Sequence, residues 1–310
     1  MGETEHLQAQ ALADLGSVFS EKLTFTKRFL LFCGSLFLFV LLGIVVVQIS
    51  KTLALIDLAL ILLVLFVHEL GHYLSMRWLA YKDVHMFFVP LFGAAVSGYP
   101  ANIPIVQQAF VAMAGPIPGI FIGSVCLVIF SVNGVEIWQK LATMFIVVNG
   151  LNLFPLQPLD GGQFVDYVVP NHCVKLKTLL QLVGIGLGAY LSYELGTILF
   201  NLSIYTLIHL GRNYKINTLI HKHNICNLQS EHGLSYTMPL ETAKLIIADI
   251  TERLPNLDST REIARCAWNI WNRATSKRPN KLEALVMVVV YLAGLTILFV
   301  YQFVYLKALK

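Results

Sequence analysis

Charge is scarce in this sequence. Asp, Glu, Lys and Arg make up 13% of its 310 residues, against about 25% in soluble domains. With 56% hydrophobic residues as well, an ordinary water-soluble fold is excluded and a polytopic membrane protein is implied. Cysteine is thin too. Cys33, Cys126, Cys173, Cys226 and Cys266 include no CxxC pair, which argues against a disulfide framework and against a cysteine-built zinc site. A small-residue cleavage site is missing after the first apolar run, so that run reads as a signal anchor and not as a cleaved signal peptide. The net charge of +4 is modest and the basic residues collect in loops, a pattern that orients membrane proteins and does not suit nucleic-acid binding.

Apolar runs long enough for a roughly 30 Å hydrocarbon core occupy about residues 29–47, 53–79, 109–132, 137–154 and 284–306. The stretch 179–210 is too long for one straight span and carries Glu194 and Gly196 near its middle, so it reads as a hairpin of two short helices. The expected fold is all-α and polytopic, with about seven transmembrane helices, or six if 179–210 crosses once. The expected organisation is a cytoplasmic segment at 1–28, a membrane domain at 29–210, a basic helical cytoplasmic segment at 211–282, and a last membrane helix at 284–306. Lys22, Lys27 and Arg28, then Arg77 and Lys82, then Lys175 and Lys177 fall on one side of the membrane under this count; that side is assigned to the cytoplasm. The basic segment falls there too only if 179–210 is a hairpin.

Within the second run lies Phe66-Val67-His68-Glu69-Leu70-Gly71-His72. Two histidines four apart share one helix face and can share a metal ion, with Glu69 beside them as a potential base. His68 is about 22 Å down the span at 1.5 Å per residue, in the cytoplasmic half of the bilayer. Ionisable groups at that depth normally face a protein interior or a water-filled cavity. The fourth run ends in Asn149-Gly150-Leu151-Asn152-Leu153-Phe154-Pro155-Leu156-Gln157-Pro158-Leu159-Asp160-Gly161-Gly162. Its prolines stop the helix, and irregular backbone at membrane depth must be shielded by protein. Asp160 lies toward the same side as His72, where a carboxylate could complete a two-histidine, one-acid set with a fourth position left for water.

The HELGH run followed by NLFPLQPLDGG resembles the site-2 protease family of intramembrane zinc metalloproteases. Two shorter stretches agree: Phe88-Val89-Pro90-Leu91-Phe92-Gly93-Ala94-Ala95 is similar to the family's membrane-embedded hairpin, and Ala114-Gly115-Pro116-Ile117-Pro118-Gly119 to its small-residue motif. Many members carry Asn where this chain has Gly119. The resemblance covers about residues 53–167 and implies one Zn²⁺ per chain held by His68, His72 and Asp160, with Glu69 taking a proton from water. It implies a transmembrane protein as substrate and the lipid bilayer as surroundings. A prokaryotic cytoplasmic membrane is the expected location, with the active site toward the cytoplasm; no nucleic acid is expected as a partner.

Residues 86–97 are expected to form a β-hairpin whose edge pairs with an unwound substrate, the alternative being a re-entrant loop. Phe92 and Gly93 there, with Asn149 and Asn152 on the fourth span, are candidate substrate contacts; for the asparagines the alternative is bonding between helices. Asp57 and Glu194 read as solvated interfacial groups, Asp166 as a cytoplasmic surface acid, His85 as a cavity-lining group, and His221-Lys222-His223 with Cys226 as a solvated loop. Residues 237–276 read as two helices, forming a small domain or lying on the membrane surface. Two other functions are carried: a CAAX-type membrane zinc protease, which would need a downstream Glu as third ligand, and a non-catalytic scaffold or metal transporter.

Overall fold

A computed structural model describes residues 3–17, 24–49, 55–89, 93–99, 103–195, 198–225, 238–257, 259–301 and 303. In chain order the elements are α1 (Glu3–Ser17), α2 (Phe25–Ile49), α3 (Leu55–Trp78), β1 (Lys82–Val89), β2 (Gly93–Tyr99), α4 (Ile105–Ala114), α5 (Pro116–Asn133), α6 (Glu136–Asn152), α7 (Asp160–Val168), α8 (Val174–Leu195), α9 (Ile198–Ile225), α10 (Leu240–Arg253), α11 (Thr260–Thr275) and α12 (Lys281–Tyr301). Among the described residues, four helical stretches are long and apolar enough to cross a bilayer: Phe25–Gln48, Leu55–Trp78, Ile105–Asn133, which joins α4 to α5, and Lys281–Tyr301. They mark a membrane protein.

The other three expected spans are not among these four. Helix α6 has 17 residues. Helices α8 and α9 pack on each other, but α9 is not short: it runs to Ile225, well beyond the expected end at Leu210. Its second half carries Arg212, Lys215 and Lys222, and buries Leu219 and Ile220 in a protein core. The side chain of Glu194 and all of Cys226 lie outside the described residues.

The chain divides into two compact units. One comprises residues 1–22, 100–105 and 169–278. Its core joins Ala11 of α1, Leu219 and Ile220 of α9, Ile246, Ile247 and Ile250 of α10, and Ile263, Ala267, Ile270 and Trp271 of α11. The α11 positions recur at three and four, the spacing of one helix face. Both helices expected at 237–276 are present, and these apolar faces are buried against protein. Helix α1 is tied in by Thr260 Oγ1 donating to Asp14 (2.5 Å) and Gln8 Nε2 donating to Thr251 (2.9 Å). His221-Lys222-His223 is helical rather than a loop: it lies in the last turns of α9, with His223 Nε2 2.9 Å and Lys222 Nζ 2.8 Å from the Asp249 carboxylate of α10. Burial holds the His223 imidazole below its ordinary value, against the opposing pull of Asp249.

The other unit comprises residues 23–99, 106–168 and 279–310. Helix α3 buries Leu60, Val64, His68, His72 and Ser75 along one stripe, and α2, α5, α6 and both strands pack against this helix. Asp57 is not solvated as expected. It is buried at the start of α3, with Lys140 of α6 reaching it at 3.1 Å, because a carboxylate inside an apolar span needs a cation from a neighbour. The strands pair antiparallel, Met86 opposite Val96 and Phe88 opposite Ala94. Val84, Met86 and Phe88 alternate into the interior. The Phe88 N–H donates to Ser35 Oγ of α2 at 2.9 Å, its ring meets Phe32 and Phe39 with centroids 5.7 Å away, and Arg28 of α2 pairs with Asp83 at 2.6 Å. Helix α2 therefore covers the outer edge of β1. Phe92 lies outside the described residues; Gly93 is the first residue of β2, opposite Val89.

Candidate metal centre

The stripe that buries α3 also sets the chemistry. His68, Glu69 and His72 are all buried, and the i, i+4 spacing stacks the two imidazoles with ring centroids 4.8 Å apart. Helix α6 brings the third group. It ends at Asn152, Pro155 bars its continuation, and after a turn with a cis Gln157–Pro158 peptide the chain re-enters a helix at Asp160. A carboxylate in the first turn of α7 meets the positive end of that helix. The Gln157 amide donates to Asp166 at 3.0 Å across this turn. Asp166 is thus a buried brace of the turn and not the surface acid expected.

His68 Nε2, His72 Nε2 and Asp160 Oδ2 form a triangle with edges of 3.2, 3.1 and 3.3 Å. Ligands about 2.0 to 2.1 Å from a tetrahedral metal ion stand roughly 3.3 Å from one another, so the three atoms have the spacing of one face of such a shell. Their chemistry agrees. His68 Nδ1 lies 2.8 Å from Asn149 Oδ1, and His72 Nδ1 lies 2.8 Å from the Val111 carbonyl. Both partners are acceptors, so each Nδ1 carries the proton and each Nε2 presents a lone pair inward. Two lone pairs and a carboxylate converging within 3.3 Å repel one another until a cation sits among them. The donor set fits a divalent metal ion, and these are the residues that group together as a candidate metal site among the described residues.

Glu69 Oε1 stands 4.0 Å from His68 Nε2, beside the triangle and outside it. The backbone N–H of Val96 in β2 donates to its carboxylate. Since Phe88 likewise turns its N–H outward, the pairs 88/94 and 86/96 are the non-hydrogen-bonded kind, and β2 turns the N–H and C=O of Ala94 and Val96 away from β1.

Of the two expectations for Asn149, substrate contact or bonding between helices, the structure shows the second: it lies behind His68 of α3, fully buried, with its Nδ2 returned to the Phe145 carbonyl at 2.8 Å. The space it needs comes from α5. A Cβ at Gly119 would collide with the Asn149 amide, and one at Gly115 with the His72 imidazole. The motif AGPIPG is thus a flat face against which a ligand and a ligand's partner are laid. Asn152 is half-buried and turns its Nδ2 to the Val148 carbonyl of its own helix at 3.1 Å. His85 turns to the Asp83 carbonyl at 2.9 Å. The Val111 carbonyl was not foreseen, because a backbone acceptor leaves no mark in a residue pattern.

Two curated proteins are similar to this chain. The zinc metalloprotease MJ0392 of Methanocaldococcus jannaschii is 27% identical over 156 residues, covering 49% of this chain and 45% of that protein. Stage IV sporulation protein FB of Bacillus subtilis (strain 168) is 26% identical over 131 residues, covering 39% of this chain and 45% of that protein. The chain thus spans under half the length of each of these relatives. No protein-family model matches it.

Proposed function

We propose that this chain, whose two curated relatives are both of the site-2 protease family, is a zinc-dependent endopeptidase that cuts transmembrane segments of other membrane proteins. One observation carries the reading: a triangle of inward-facing acceptors with tetrahedral spacing, formed by His68, His72 and Asp160, with a carboxylate beside it that is not needed as a ligand. Zinc at this site supplies a Lewis acid that polarises a carbonyl and makes water nucleophilic near neutral pH.

The chain's own residues supply the rest. Glu69 takes the proton of the attacking water and later delivers it to the leaving amine nitrogen. Asn149 and the Val111 carbonyl hold the two imidazoles in one tautomer and one orientation. A helical substrate hides its peptide bonds in its own hydrogen bonds and has to unwind before hydrolysis. The outward edge of β2 offers the N–H and C=O of Ala94 and the C=O of Val96 to the unwound segment as an added strand, the Val96 N–H being held by Glu69. β1 does not compete, because α2 already covers its edge. An apolar cleft of about 910 Å³ bordered by Gly71, Trp78, Phe110, Val286 and Val290 gives a still-helical part of the substrate a surface without polar demands. The membrane-embedded position of the strand pair, the cytoplasmic direction of the site and a prokaryotic cytoplasmic membrane belong to the same proposal; the basic loops support the direction. A CAAX-type site would need a glutamate as third ligand, and Glu136 stands at the far end of α6 from Asn149.

The test is Glu69→Gln in purified protein reconstituted with a transmembrane substrate. Zinc remains at one per chain and cleavage stops. A wild-type chain without stoichiometric zinc, or a variant that still cuts, overturns the proposal.

A further inference from the structure

Resting on that reading, the inference concerns α12, which lies beyond the stretch that resembles the family. From Tyr291 to Tyr301, α12 lies along the second half of α6. Near its C-terminal end Tyr301 and Thr143 share a hydrogen bond of 2.6 Å; further along, Leu298 lies against Gly150, and Gly294 lets the Leu153 side chain in closely. At the break itself the Tyr291 hydroxyl donates to the Leu153 carbonyl at 2.6 Å, and its ring stacks on Phe164 of α7 with centroids 4.7 Å apart and planes 15° from parallel.

Leu153 caps α6. In a continuing helix its carbonyl would accept from the residue four further on, and the proline-broken turn removes that donor. A buried carbonyl without a partner is costly in apolar surroundings, and Leu153 is fully buried. The same carbonyl lies against Gly161, where an added Cβ would collide with it, so its position sets where the residue after Asp160 can lie. Phe164, the other surface that Tyr291 touches, is four residues beyond Asp160 on α7.

We propose that Tyr291 is a positioning residue of the metal site: by satisfying the Leu153 carbonyl and stacking on Phe164 it fixes both ends of the turn that presents Asp160 to His68 and His72. The core of this protease is then not confined to the HExxH and LDGG helices. The last helix is the clamp that holds the third ligand at 3.1 and 3.3 Å from its partners.

The experiment compares full-length wild type, Tyr291→Phe and Tyr301→Phe. Each variant loses one hydroxyl from α12 that bonds to the α6 segment, but only the first acts at the break. Zinc affinity is measured by competition with a chromophoric chelator, and the ligand set by the visible spectrum of the cobalt(II)-substituted protein. Amide exchange over 153–164 is followed in the metal-free chain. Tyr291→Phe binds zinc about 10-fold or more weakly, alters the cobalt spectrum and exchanges faster across that segment; Tyr301→Phe matches wild type in all three. Equal loss in both variants, or wild-type exchange in Tyr291→Phe, overturns the positioning role. A wild-type chain that takes up no zinc overturns the metalloprotease reading instead, and the exchange measurement still decides whether Tyr291 holds the turn.

Discussion

Replacing Gly119 by Ala adds one methyl group, and the structure says where it lands. The new Cβ would fall on the Asn149 amide. Restoring ordinary contact requires the amide to retreat by about 1 Å, which stretches its 2.8 Å bond to His68 Nδ1 past hydrogen-bonding reach. Asn149 has no room to retreat without breaking that bond, since it is fully buried and its other end is tied to the Phe145 carbonyl. Two costs follow. A buried N–H without an acceptor costs about 1 to 3 kcal/mol, and loss of the orienting partner of a metal-bound histidine weakens metal binding about 10- to 100-fold, or about 1.4 to 2.8 kcal/mol. Alanine is also the better helix former by about 1 kcal/mol, so fold stability changes less than zinc affinity does. The assay is zinc competition together with thermal unfolding of the metal-free chain. Gly186→Ala in α8 serves as control, because nothing lies within 4 Å of its new methyl. Asn149→Ala weakens zinc similarly, and Gly119→Ala combined with it is no worse, since the methyl then occupies vacated space; the two changes act through one contact and are not additive. Asn149→Asp keeps an acceptor for His68 and keeps zinc. Wild-type affinity in Gly119→Ala, or simple addition in the double variant, refutes the assignment of Asn149 as the partner of His68.

Ala94→Pro removes an outward N–H of β2 while leaving its ladder to β1 intact; zinc stays bound and cleavage of a helical substrate falls, and unchanged turnover would remove the β2 edge from substrate binding. The His223 imidazole, held down by burial beside Asp249 and Lys222, binds its proton less readily folded than unfolded. Its contribution to stability is therefore present above about pH 6.5, the unfolded value, and is lost as pH falls toward the folded value. Amide protection factors in α10 and α11, referred to intrinsic exchange at each pH, should fall on acidification through that window, less so in His223→Gln, and an equal pH response in the two proteins would exclude His223 as the source.

Placements that leave a local mark are legible in the sequence, and placements set by a partner with no mark of its own are not. That His68 and His72 meet follows from four residues being nearly one helical turn, and that Asp160 leaves the helix of Asn149 follows from the prolines that break it. Asn149 and Asn152 show the limit. Both sit on the last turn of α6 three residues apart, and nothing local says that one faces α3 and the other its own backbone. Asp57, Asp166 and His223 depart from expectation in one direction: the sequence around each suggests a solvated group, and each is buried against a partner at Lys140, Gln157 or Asp249. The error has a physical cause. In a chain this poor in charge, an ionic group near apolar sequence is more cheaply matched by another part of the protein than left at an interface, and that matching residue lies 83 positions away for Asp57.

The same dependence on distant partners explains the length of α9. Hydropathy ends the apolar stretch at Leu210, where polar residues begin, yet a helix leaving an apolar stretch has no reason to stop if a second core awaits its next face. That face, Leu219 and Ile220, is completed by α1 from the start of the chain and by α10 and α11 from beyond residue 238. The helix continues because its continuation is buried, and burial is a property of the folded neighbourhood rather than of the segment. Tyr291 is the functional counterpart: a tyrosine among valines and leucines in α12 reads as an ordinary membrane residue until the proline break of α6 leaves a carbonyl in need of its hydroxyl. In a membrane, where water cannot supply the missing donor, every deliberate break in a helix creates a demand elsewhere in the chain, and the residues that meet such demands are where further positioning groups are to be sought.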